Sequence, residues 1–171
     1  LPALTVKGVE TIPARHFNQI DKIACLCSPL EESDFLYPIF SLEKFILQLV
    51  IPFLYGQSYY SKYGEWPWSD LAHGATGLLE SYFKINDSSK IYECLDKLSK
   101  QDKTTWEGIK NVLTRKSEIK GHTPCFCQKA DQIRRCHKDA WKGIIKLRKD
   151  IKELNVNLNR QDYLYKVNQI F

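Results

Sequence analysis

Ile133 to Leu158 reads IRRCHKDAWKGIIKLRKDIKELNVNL, and within it Ile133, Cys136, Ala140, Ile144, Leu147, Ile151, Leu154 and Leu158 recur every three or four residues. That is the period of an α-helix with one apolar face. Thr123-Pro124 upstream supplies a cap and a proline for the first helical position, so the spacing predicts one long helix from Cys125 to about Leu158. Such a seam must be covered by other helices, which makes an all-α bundle the expected fold.

Working outward, Thr104 and Glu107 have capping-box spacing and open a helix expected to reach Lys120, where Gly121 stops it. Ser89 to Lys100 carries Ile91, Cys94, Leu95 and Leu98 at helical spacing. Another helix runs from Ser69-Asp70 to about Lys84, with Leu71, Ala75, Leu78, Leu79 and Tyr82 inward. Ser41 caps an apolar helix from Leu42 to about Ile51, ended or kinked by Pro52, with Leu42, Phe45, Ile46, Leu49 and Val50 as its buried stripe. Thr5 to Glu10 alternates weakly and reads as an extended arm, Pro29 to Pro38 as an acidic loop, and Tyr163 to Phe171 as a short amphipathic tail. The expectation is one domain over 1–171: an arm and loop over 1–40, then a disulfide-stapled bundle of about five helices with a long C-terminal helix over 41–171.

The chain has 171 residues, 43% apolar, 26% charged and 12% aromatic, enough to bury a core and too few for several domains. Its formal charge of +5 is too mild for a dedicated nucleic-acid binder. The balance is uneven: residues 1–86 hold 6 basic and 9 acidic side chains, residues 87–171 hold 19 and 11. Phe45 to Tyr55 is the most apolar run, and its eleven residues fall short of the roughly 20 a membrane span needs. The start at Leu1, with no Met in the chain, reads as a mature product whose leader has been removed or as a trimmed chain.

Six cysteines, Cys25, Cys27, Cys94, Cys125, Cys127 and Cys136, stand as C-x-C, C, C-x-C, C. An even count permits three disulfides, of which bridges from the N-terminal pair would close long loops, and this suits a secreted or extracellular protein. The rival is a metal site from His122, Cys125, Cys127, Cys136 and His137. Structural zinc sites usually space two cysteines by two to four residues, and C-x-C directs both sulfurs inward poorly, so disulfides are favoured and no metal is expected. Asn86-Asp87-Ser88 is a glycosylation acceptor in an expected turn.

Catalytic signatures are missing, with no nucleophile elbow, zinc-protease helix or phosphate loop. Asp70 and His73, three apart, read as surface electrostatics rather than an acid–base pair, and Glu31, Glu32 and Asp34 as a solvated acidic loop rather than a calcium site. No cofactor is expected.

Two surfaces carry more information. Tyr55 to Trp68 interleaves Tyr59, Tyr60, Tyr63, Trp66 and Trp68 with Gly, Ser and Pro, a composition suited to protein recognition because rigid aromatics give contact area at low entropic cost. The alternative is a loop folded onto the bundle through several of its own rings, and the expectation is that Trp66 or Trp68 is buried and some of the Tyr are exposed. Between Lys129 and Lys152 stand nine basic and three acidic residues, and Arg134, Arg135, Lys138 and Lys142 are candidates for a sulfated glycan or another anionic surface. The expected function is a non-enzymatic secreted or cell-surface protein that binds an extracellular protein partner through the aromatic segment, with the basic helix aiding encounter. The alternative is a carrier of an apolar small molecule in a pocket lined by Phe45, Leu49, Phe53, Leu78 and Tyr82.

Overall fold

The computed structural model describes residues 1–18, 20–68, 72–127 and 131–158, and it is helical, with β pairing among the described residues limited to two isolated bridges. The chain forms two compact units, Leu1–Asp70 and Leu71–Phe171. The all-α expectation holds. The helix after Ser41 falls in the unit of the N-terminal arm, whereas the sequence reading placed it with the bundle. No described helix is long and apolar enough to cross a membrane.

In the first unit the arm has no helix before a 3-10 turn at Pro13–Arg15, and a bridge between Phe17 and Ala24 closes the loop that follows. Phe17, Ala24 and Phe53 are buried together, with Leu4, Val6, Val9, Leu26 and Trp66 packed around them. The weak alternation of the arm therefore marks side chains that line a small core. The expected acidic loop holds a one-and-a-half-turn helix, α1 (Glu32–Leu36).

Ser41 caps the next helix as expected, accepting from the Lys44 backbone N–H at 3.2 Å. α2 (Leu42–Phe45) continues through a π-helical turn (Ile46–Val50) into α3 (Ile51–Tyr63), so Pro52 does not end it. Proline has no N–H for the carbonyl four residues back, and its ring crowds that carbonyl. A π turn just before it, in which the Ile51 N–H reaches the Ile46 carbonyl, lets the helix pass. α3 ends at Gly64, which takes φ 77°, a conformation glycine adopts without strain.

The second unit is a bundle of α4 (Gly74–Ile85), α5 (Ile91–Ser99), α6 (Lys103–Thr114), α7 (Ile133–Cys136) and α8 (Lys138–Glu153). Leu78, Leu79, Tyr82, Ile91, Leu95, Leu98, Ile109, Ile133, Ile144 and Leu147 are its buried centre. α4 and α8 meet most closely, at a point where a β-carbon on Gly143 would run into the Leu79 carbonyl. α4 begins at Gly74, later than expected, and His73 is its N-cap residue. Asp70 lies outside the described residues, as does the Tyr163–Phe171 tail.

Two boundaries differ for local reasons. α6 is capped by Asp102, whose side chain accepts from the Thr105 N–H at 3.0 Å, and not by Thr104 with Glu107. It stops at Thr114, before a turn that Arg148 holds by donating to the Ser117 carbonyl at 2.7 Å and the Arg115 carbonyl at 2.6 Å. The long helix is interrupted as well. Pro124 bridges to Gln132, the Cys125 N–H donates to the Asp131 carbonyl at 2.9 Å, and His137 at φ −142° breaks α7 from α8. The apolar period begins only at Ile133, so Cys125, Phe126 and Cys127 had no stripe to bury as helix. At the far end α8 stops at Glu153, leaving Leu154 exposed.

Inside the bundle the Tyr82 hydroxyl donates to Asp150 Oδ2 at 2.5 Å, and Lys146 Nζ donates to the same oxygen at 2.6 Å while lying 4.2 Å from the Tyr82 ring centre. Burial, then the bond to Asp150, pushes the Tyr82 phenol upward. Burial opposes ionisation of Asp150, but the hydrogen bonds from Lys146 and Tyr82, with the lysine charge, outweigh it and hold the carboxyl below its usual range.

Two outcomes test this packing. Gly143→Val should cost about 3 kcal/mol in urea unfolding, since the α4 backbone must retreat; a loss within error of zero would mean the helices are not in backbone contact. Asp150 binds protons more weakly folded than unfolded, so its contribution is complete above pH of about 4 and is lost as pH falls through the lower folded value. Between pH 5 and pH 2 the wild-type chain should therefore lose more stability than Asp150→Asn, and parallel curves would remove Asp150 from the network.

Candidate protein-binding surface

The aromatic segment is not a loop. α3 carries it to Tyr63, so Tyr55, Tyr59 and Tyr63 stand four residues apart on one helical face. Tyr55 and Tyr59 have ring centres 6.3 Å apart, Tyr59 and Tyr63 4.4 Å, and Trp68 returns to stack on Tyr55 at 6.1 Å. Tyr55 is 57%, Tyr63 55% and Trp68 46% exposed, and Tyr59 is half-buried.

Tyr60 and Trp66 belong to the packing instead. Trp66 Nε1 donates to the Ala14 carbonyl at 2.8 Å, its ring meets His16 edge-on at 4.4 Å, and a β-carbon on Gly56 would run into it. The Arg15 guanidinium lies 4.8 Å from the Tyr60 ring centre and donates to Gln57 Oε1 and Ser61 Oγ, while the buried Gln57 Nε2 donates to the Arg15 carbonyl at 2.6 Å. Of five aromatics expected to meet a partner, two thus hold the arm against α3.

Sequence reasoning missed the aliphatic part of this surface. Leu42 (60% exposed), Ile46, Leu47, Ile51 and Leu54 are all exposed, continuous along the helix with Tyr55. Leu42 and Ile46 were expected inside; Phe45 and Leu49 are buried, and Val50 is half-buried. Because residues 45–55 are apolar on nearly every side, periodicity could not select the covered face.

The basic residues do not make one face. Arg134, Arg135 and Lys138 are exposed around the α7–α8 break, whereas Lys142 pairs with Asp139 at 3.0 Å and lies 4.8 Å from the Phe83 ring centre. Lys146 and Arg148 turn inward to the partners already described. Lys129 lies outside the described residues. Asn86 is exposed at the C-cap of α4 with φ 53°, a left-handed conformation asparagine tolerates.

No two cysteine sulfurs stand at disulfide distance. Cys25 is exposed and Cys27 half-buried in the first unit, and Cys94 is fully buried in the bundle. Burial pushes the Cys27 thiol up to about 12, with Glu31 and Glu32 adding to it. Cys125, Cys127 and Cys136 are brought together, though the C-x-C spacing argued against it. Of the five residues proposed as a carrier pocket, Phe45, Leu49 and Phe53 are buried in the first unit, Leu78 and Tyr82 in the second. Compared with known protein families, curated proteins and solved structures, the chain matches none.

Trp66→Ala should destabilise the first unit by about 3 kcal/mol, while Trp68→Ala should cost less than about 1 kcal/mol. Equal losses in chemical denaturation would put Trp68 in the packing and shrink the exposed face.

Proposed function

We propose that this chain is a non-enzymatic interaction protein that binds a protein partner through the face formed by α2, the π turn, α3 and Trp68. The carrying observation is the continuous exposure of Leu47, Ile51, Leu54, Tyr55, Tyr63 and Trp68 on one unit. Scattered exposed apolar residues are ordinary, but a contiguous set marks a contact surface. Its composition favours a protein over a lipid occupant, because tyrosine and tryptophan combine large apolar area with a polar atom that can pair across an interface. The rings are also preordered: α3 and the Tyr55–Trp68 stack fix them before a partner arrives, which lowers the entropic cost of binding.

Arg134, Arg135 and Lys138 support a subsidiary role in meeting anionic surfaces, without Lys142. The extracellular placement expected from the cysteine count rested on three bridges, and the binding reading stands without a compartment.

A photo-crosslinking residue at position 54 should capture a defined protein, and the purified partner should bind the Tyr55→Ala, Tyr63→Ala, Trp68→Ala triple variant at least about 100-fold more weakly. Undiminished binding by the triple variant, or crosslinks to lipid alone with co-sedimentation on vesicles, would overturn the reading.

A further inference from the structure

A second group of side chains, in the bundle unit, has a chemistry of its own. Cys125, Cys127, Cys136 and His137 place three sulfurs and one imidazole nitrogen within 4.8 Å of one another. Cys125 Sγ is 3.2 Å from His137 Nδ1, and Cys127 Sγ is 3.4 Å from Cys136 Sγ. A disulfide would need about 2.05 Å. Four donors around a zinc ion, with bonds of about 2.3 Å to sulfur and about 2.0 Å to nitrogen, stand about 3.5–3.8 Å from each other. We propose that these four residues hold one Zn²⁺ in a closed, structural Cys₃His site.

The backbone explains how so compressed a motif converges. Cys125 lies in the short pairing around the Pro124–Gln132 bridge, its N–H bonded to the Asp131 carbonyl, and Cys127 follows in the turn beyond. The bend at the turn lets both sulfurs face one point, which a straight C-x-C segment would not. Adjacent residues usually diverge as well, but Cys136 ends α7 and His137 at φ −142°, ψ 78° belongs to neither helix. That break turns the imidazole to the side of the preceding thiol.

The surroundings fit a metal that organises structure. Residues 115–127 contain no helix, and a compact domain seldom keeps more than about 12 irregular residues without some other source of order. Arg148 and the buried Thr123, whose hydroxyl donates to the Lys120 carbonyl at 2.8 Å, anchor the first part of this stretch. The metal would anchor the rest to the start of α8. Thiolates and imidazole select zinc over calcium or magnesium, which require oxygen, and four protein donors leave no open position for catalysis. Three thiolates on Zn²⁺ leave one negative charge. Arg134, Arg135 and Lys138 flank it in sequence and are exposed, and their positive charge would offset it.

The test uses the full chain, reduced, freed of metal and titrated with Co²⁺ and then Zn²⁺. One equivalent of Co²⁺ should give a thiolate charge-transfer band and the visible bands of a tetrahedral site, and Zn²⁺ should abolish them at one equivalent. Cys127→Ser and Cys136→Ser should weaken binding at least about 100-fold. His137→Cys should retain one equivalent with a stronger charge-transfer band, which a site lost through misfolding would not do. Cys25→Ser should bind as wild type. The proposal falls if the reduced chain gives no such bands, if Cys25→Ser weakens binding as much as Cys127→Ser, or if peptide mapping of the native protein finds two of the three sulfurs joined as a disulfide.

Discussion

The contact between the Leu79 carbonyl and Gly143 governs the bundle, because α4 and α8 meet there backbone to backbone and only the absence of a side chain permits it. Close approach brings Tyr82 of α4 within reach of Lys146 and Asp150 of α8, so the polar network and the apolar packing share one geometry. A network of this kind is favourable only when its members are paired, and Asp150 Oδ2 accepts from both of its neighbours. α5 and α6 then cover the remaining sides with Ile91, Leu95, Leu98, Ile109 and Leu113.

The first unit solves a different problem with fewer apolar contacts. Its core is small, and much of its cohesion comes from groups that pair across long sequence separations: Trp66 with Ala14, Gln57 with Arg15, and Phe17 edge-on to Phe53. These contacts cover one side of α3 and leave the other to solvent. A unit built this way commits half of its aromatics to holding itself together and presents the rest.

What the sequence made legible follows from where one physical signal dominates. The amphipathic stripes over Ile91–Leu98 and Ile144–Ile151 each select a single face; α5 lies where periodicity put it, and α8 keeps the central part of the expected long helix without its two ends. The signal failed where two requirements competed. Asp102 and Thr104 are both good caps, and the choice went to the one whose oxygen reaches the Thr105 N–H. A proline inside an apolar run reads as a stop, yet a change of helical pitch absorbed it. Among the aromatics, composition could not separate Trp66, seated against Gly56, from Trp68, which is not. For the cysteines, spacing counted along the chain is a poor guide once a turn and a helix break redirect the side chains.

The π turn at Ile46–Val50 does more than let Pro52 pass. At about 100° per residue, an uninterrupted α-helix would scatter Leu42, Ile46, Leu47, Ile51, Leu54 and Tyr55 over about 220° of its circumference. One extra residue in a turn takes back about 100°, which gathers those six into an arc of about 120°. Phe45, Leu49, Phe53, Gly56 and Gln57 would share an arc of about 120° in either winding, but the rotation moves that arc clear of the first six, and all five are buried. A run of sequence that is greasy all round thereby acquires an inside and an outside from its backbone winding rather than from its side-chain pattern.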